Sequence, residues 1–205
     1  MDNHRHDGAV ELMPGVTLVQ TFISRQRYLP GDTSITVPDN ATSVRLWLQA
    51  AGGSGKGRDY VDGSAGGGGG FSYLERAVLS GEWGTTLTIT VGAGVSGSAG
   101  GNTTLSGTLN GGSVSVTANG GGAGTTLADG TGGSATGGDT NISGTSGSGF
   151  IASPPDERFP GTPGLAGGNG FDGALSAPFQ APGDGGFASL DDIAGFDGYI
   201  LAVWG

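Results

Sequence analysis

Five consecutive glycines, Gly66–Gly70, run directly into the alternating stretch "FSYLERAV" at 71–78. A run without Cβ atoms is poorly able to hold a shape by itself, because each glycine costs roughly 0.5–1 kcal/mol more to order than alanine. The pattern recurs along the chain, with 47 glycines in 205 residues. Either such runs stay disordered, or a close packing requires that side chains be absent. Their surroundings favour packing: charged residues are only 13% of the chain, and apolar, strand-like blocks flank the runs.

The spacing of the glycines carries more. In "GTPGLAGGNGFDG" glycine stands at 161, 164, 167, 170 and 173, with shorter echoes at 63, 66, 69 and at 94, 97, 100. A three-residue period matches an extended helix with three residues per turn. Collagen would need many continuous Pro-rich triplets, and this run is too short and too poor in proline. The pattern predicts several short polyglycine-II-type helices from one chain, packed on each other with backbone N–H groups paired between neighbours. Gly66–Gly70 then reads as a backbone-packing segment, with "NGGGAG" at 119–124 in the same role.

Between the runs the period is two. "SVRLWLQA" sets Val44, Leu46, Leu48 and Ala50 against Arg45, Trp47 and Gln49, and "TLTITV" sets Leu87, Ile89 and Val91 against three threonines. "SVSVTA" and the closing "GYILAVWG" add further strands. Turn signals at Pro38-Asp39-Asn40, Ser80-Gly81 and Asn110-Gly111-Gly112 separate them. No stretch carries a helical period beyond one turn in "SLDDIAGF". The expected fold class is all-β: an antiparallel β-sandwich with an inserted glycine-rich region of packed helices and loops. Its expected organisation is a tail or attachment segment at 1–15, a sandwich built from 16–118 plus 198–205, and a glycine-rich insertion at 119–197.

Charge narrows the function. The net charge is −10, and seven of the eight basic residues lie in the first 76 positions. The remainder holds Arg158 alone against ten acidic residues. Such a surface repels a phosphate backbone and an anionic membrane surface, so no nucleic-acid partner is expected. No apolar run is long enough for membrane insertion. No cysteine is present, which excludes thiolate chemistry. "GGSGKG" at 52–57 lacks the first glycine and the Ser or Thr of a phosphate loop. "GAGVSG" at 92–97 has neither the following helix nor the distant acid of a dinucleotide site. His4 and His6, the two histidines, offer no catalytic triad. They would ligate a metal only if three chains met on an axis, as in a homotrimer. Neither an enzyme nor a cofactor is expected.

Several features occur in a fixed order. "YLPGDTSITVPDNATSVRLWLQAAGGSG" gives strand, Val-Pro turn, strand and glycines; "GGGGGFSYLERAVL", "TLTITVGAG", "GGNTTL", "SVTANGGGAG" and a terminal "GFDGYILAVWG" follow. Over residues 28–205 this order resembles the glycine-rich domain at the ends of bacteriophage tail fibre and receptor-binding (adhesin) proteins. It is also similar to T-even-like phage adhesins, in which polyglycine helices stack and loops at one end contact the host. The chain departs from that pattern at Gln49-Ala50-Ala51, where a glycine step is usual, and where "KGRDYVDGS" splits the first glycine run.

The resemblance implies a virion protein, assembled in the host cytoplasm, that binds a bacterial surface glycan or outer-membrane protein and joins other fibre or tail proteins. The alternative is a structural decoration or connecting protein of head or tail that selects no receptor. Receptor-contacting loops are then those that break the glycine rhythm: 56–62, 150–160, 174–182 and 187–196. Their aromatic and basic residues, Arg58, Tyr60, Phe150, Arg158, Phe159 and Phe179, are the expected contacts, since a ring offers apolar area at low entropic cost.

Overall fold

A computed structural model describes residues 24–56, 64–126, 128–148 and 194–205, together with two short strands at 152–153 and 157–158. The expected tail at 1–15 and the triplet run at 161–173 lie outside the described residues.

The alternating segments form two five-stranded antiparallel sheets. The first contains β1 (Ser24–Tyr28), β3 (Ser43–Gln49), β4 (Phe71–Ala77), β9 (Thr140–Ile142) and β12 (Tyr199–Trp204), in the order β1-β12-β3-β4-β9. The second contains β2 (Ser34–Thr36), β5 (Thr86–Thr90), β6 (Thr103–Leu109), β7 (Gly112–Ala118) and β8 (Ala135–Thr136), in the order β2-β5-β6-β7-β8. A small antiparallel pair, β10 (Ala152–Ser153) with β11 (Glu157–Arg158), stands apart. The expected all-β sandwich is the observed architecture. The last strand joins the first sheet, between β1 and β3.

The core follows from the period of two. Leu46, Leu48, Leu74 and Ile200 from the first sheet meet Ile35, Leu87, Leu105 and Leu109 from the second, all essentially inaccessible to solvent. The β6–β7 turn is a two-residue hairpin in which Asn110 and Gly111 take φ of 54° and 69°. Positive φ at both central residues is the turn whose twist matches its flanking strands, and Asn-Gly is the pair that adopts it most readily.

At one end of the sandwich the strands run on as glycine-rich extended chain. β3 continues into 50–54, and 65–70 leads into β4. The same holds after β5, before β6, after β7, before β8, after β9 and before β12. These runs lie side by side and exchange backbone hydrogen bonds. The N–H groups of Ala50 and Gly53 reach carbonyls in 65–70, those of Ala51 and Ser54 reach carbonyls in 98–101, and that of Gly52 reaches Phe196. Likewise Asn119 and Gly122 donate to 131–134, whereas Gly121 and Gly124 donate to 51–54. Partners thus repeat every third residue.

The glycines are required by the proximity of these backbones. A Cβ on Gly66 or Gly69 would overlap the carbonyls of Gly53 and Ala50, and one on Gly67 or Gly70 those of Thr131 and Ser134. A Cβ on Gly120 or Gly121 would overlap the carbonyls of Gly100 and Gly67. Gly66–Gly70 and 119–124 are therefore backbone-packing segments. The bundle draws on both sides of residue 119, and the stretch 119–197 also supplies β8 and β9 to the two sheets.

Candidate functional site

Polar side chains fix where the bundle begins. Gln49 faces away from the sandwich core with Arg45 and Trp47, yet it is buried, because the glycine runs cover it. Its Nε2 donates to the carbonyls of Ala50, Gly69 and Gly70 at 3.0–3.1 Å. Thr103 Oγ1 donates to the Gln49 carbonyl at 2.8 Å and accepts from Gly92 N at 3.0 Å. Ser54 Oγ donates to the Gly55 carbonyl at 2.7 Å and accepts from Gly97 N at 2.9 Å.

Acidic side chains close the N–H groups that the bundle leaves over. Asp129 accepts from Ala65 N at 3.0 Å and Asp197 from Gly94 N at 2.7 Å. At the opposite end of the sandwich Glu82 does the same for two turns. Its carboxylate accepts from Leu79 N and Asn110 N at 2.9 and 3.1 Å, and from Gly111 N at 2.8 Å. The Gly111 bond, followed by the Leu79 bond, holds the Glu82 carboxyl below the usual carboxylate range. Asp139 is lowered in the same way, first by Arg76 at 2.8 Å and then by the Glu75 N–H.

The far end of the bundle is a tip made of turns. Lys56 and Ser64 face each other across an isolated bridge, so residues 57–63 leave and re-enter there. Turns at 95–98 and 125–129 close on the same side, with Gly97 N bonded to Ser54 Oγ, Thr125 N to the Ala128 carbonyl, and Ser64 Oγ to the Thr125 carbonyl. The run 144–147 also points outward, and the chain comes back at 194–198. By contrast β1 starts beside Trp204, at the opposite end of the sandwich. The described residues that flank the two longest interruptions of the glycine pattern, Lys56, Ser64 and Ser148, therefore stand on the tip side.

Of the residues singled out from the sequence, Arg58, Tyr60, Phe150, Phe159 and Phe179 lie outside the described residues, as do His4 and His6. Arg158 is placed by its backbone alone, opposite Ala152 in the β10–β11 pair. The bracketing residues Lys56, Ser64 and Ser148 are placed, and they set the points from which those loops depart.

A family model described as a glycine-rich domain matches residues 28–199. The chain belongs to this glycine-rich domain family. No curated protein matches it. In this glycine-rich domain, no group of three His, Cys, Asp or Glu among the described residues is placed to hold a metal ion. No described helix is long and apolar enough to cross a membrane. One depression of about 460 Å³ opens beside Arg76, Asn110 and Ser115, but Asp139 already engages the Arg76 guanidinium.

The outer face of the first sheet holds a second polar cluster. Tyr73 donates its hydroxyl to Glu75 at 2.7 Å, and Arg45 Nε donates to the other Glu75 oxygen at 3.1 Å. Burial and then the Glu75 bond push the Tyr73 hydroxyl up to about 12. The role of Gln49 and the acids as acceptors or donors to backbone was not readable from motif spacing. A polar residue just before a glycine run is the one available signal.

Proposed function

We propose that this glycine-rich domain is a bacteriophage virion protein of a tail fibre or tail tip, and that its tip loops attach to a bacterial surface. The observation that carries the reading is the polarity of the molecule. A sandwich anchors one end, a bundle of glycine runs extends from it, and Lys56, Ser64 and Ser148, which flank the longest interruptions of the glycine pattern, stand at the far end. Rigid scaffold with function in loops is the usual division of labour. The three-residue period of hydrogen-bond partners supports reading the runs as polyglycine-II-type helices, the feature that the resemblance to phage adhesins implies. The expected ligand is a surface glycan or an outer-membrane protein loop, and no catalytic step is assigned to the chain.

The test is attachment of the purified full chain to a panel of bacterial strains, alongside its localisation on intact virions by immunogold labelling. Replacing 57–63 by a Gly-Ser linker, or combining Arg158→Ala with Phe159→Ser, is expected to reduce attachment at least tenfold with the melting temperature nearly kept. Attachment that survives both changes removes the tip as the receptor site. Labelling on the virion without attachment to any strain leaves a structural decoration of head or tail as the role.

A further inference from the structure

The two sheets turn unlike faces to solvent. On the second, the outward positions of β2, β5, β6, β7 and β8 carry only serine and threonine, as in the row Thr90–Thr104–Thr117–Thr136. These are hydroxyls on a pleated surface that β-branched residues suit, and they need no further account. On the first sheet the register sets Arg25, Val203, Arg45 and Glu75 in one row and Arg27, Leu201, Trp47 and Tyr73 in the next. Three of the chain's eight basic residues thus share one face of a molecule of net charge −10.

This face is graded from cation to acid. Arg45 is tied to Glu75 on the β4 side. On the β1 side Arg25 and Arg27 are exposed, and neither makes an ion pair with a described residue. They stand two positions apart on one strand, so their Cα atoms are about 7 Å apart and both side chains leave the same face. Beside them lie rings: Arg27 sits over Tyr199, 4.9 Å from its centroid, and half-buried Trp47 and Tyr73 pack at 5.3 Å with their planes tilted by 54°. Cations on an edge strand also discourage edge-to-edge pairing, which by itself would explain Arg25 and Arg27. It does not explain the aromatic surface in the same rows.

We propose that this face binds an acidic polysaccharide whose sugar rings carry carboxylates, with Arg25 and Arg27 taking carboxylates and the Trp47–Tyr73 surface taking the apolar face of a ring. A guanidinium fork matches a carboxylate in two parallel hydrogen bonds. A uronic acid polymer presents a carboxylate and a C–H ring face in every unit, so one ligand uses both features of the face. The remaining acidic surface repels such a polymer, which confines it to this sheet and makes binding salt-dependent. The site lies on the side of the sandwich, away from the tip, and is independent of the attachment reading.

The experiment is calorimetric titration of the full chain with a galacturonic acid hexamer at low salt, with a neutral galactose hexamer and a hexaglutamate peptide as comparisons. Binding of the uronate, none of the neutral sugar, and at least tenfold weakening on adding 0.3 M salt are expected. Arg25→Ala with Arg27→Ala should weaken binding tenfold or more. Both side chains are exposed and β1 is held by backbone pairing, so circular dichroism should be unchanged. Trp47→Ala should weaken binding several-fold and leave the salt dependence as it was. No binding by the native chain, or equal binding by the double variant, overturns the proposal. Hexaglutamate binding as tightly as the uronate and unaffected by Trp47→Ala also overturns it, and assigns the face to acidic proteins.

Discussion

In the sandwich, side chains fill the space between two backbones; in the bundle, the backbones themselves touch. Leu46 and Leu105 are buried among other apolar side chains, whereas Gly67 is buried against the backbone of Thr131, whose carbonyl a Cβ would overlap. Burying a leucine stabilises by about 1.5–3 kcal/mol. A bundle hydrogen bond contributes about 0.5–1.5 kcal/mol net, whereas fixing one residue's backbone costs about 1–2 kcal/mol, and roughly 0.5–1 kcal/mol more for glycine than for alanine. The hydrogen bond does not offset that cost. The bundle is therefore held by its anchorage in the sandwich, through Gln49 and Thr103, more than by its own interactions.

The strongest challenge to this contrast is a side chain in the bundle. Gly67→Val is expected to cost on the order of 3 kcal/mol or more, because a backbone carbonyl cannot step aside as a side chain can. Gly81→Ala, at a glycine with nothing near a Cβ, should stay within about 0.5 kcal/mol. Thermal melts of the pair decide it, and equal melting temperatures would remove the packing argument.

In the sandwich the graded response of an ordinary core is expected. Leu46→Ala should cost about 2–5 kcal/mol and Leu46→Met less than about 1.5 kcal/mol, both read from denaturant midpoints. A bundle glycine should show no such gradation, with even alanine strongly destabilising.

At the junction, Gln49→Leu keeps the volume but strips the donor from the carbonyls of Ala50, Gly69 and Gly70. A loss of about 1–3 kcal/mol is expected, together with faster amide exchange at Gly67 and Gly121 than at Leu46 and Leu105. Exchange that accelerates equally in both regions would mean that sandwich and bundle open as one unit.

The smallest effect concerns pH. Glu82 and Asp139 have carboxyls depressed below their ordinary values of 4.5 and 3.8. A depressed folded-state value stabilises the fold above the unfolded value, and that contribution is lost as pH falls through the folded one. Melting temperature should be level from about pH 7 to 5 and fall below about pH 4, with a shallower fall in Glu82→Gln. A fall of equal steepness in that variant would show that the Glu82 carboxylate does not carry it.

Local patterning assigns each segment its kind. Alternation at 44–50 and 86–91 fixed which side chains face a core, because a strand's side chains change sides at every residue. Asn110-Gly111 marked a turn, and the glycine runs pointed to close backbone packing over disorder. Tertiary structure alone decided which segments meet. Alternation assigns faces without assigning neighbours, so the position of β12 between β1 and β3 was not written in any one strand. A glycine run carries no side chains to encode its partners, so the pairing of 50–54 with 65–70 and 98–101 arises only when the sheets bring their ends together. Gln49 makes the same point: it is outward by alternation and buried by the fold, because the bundle grown from its own strand closes over it.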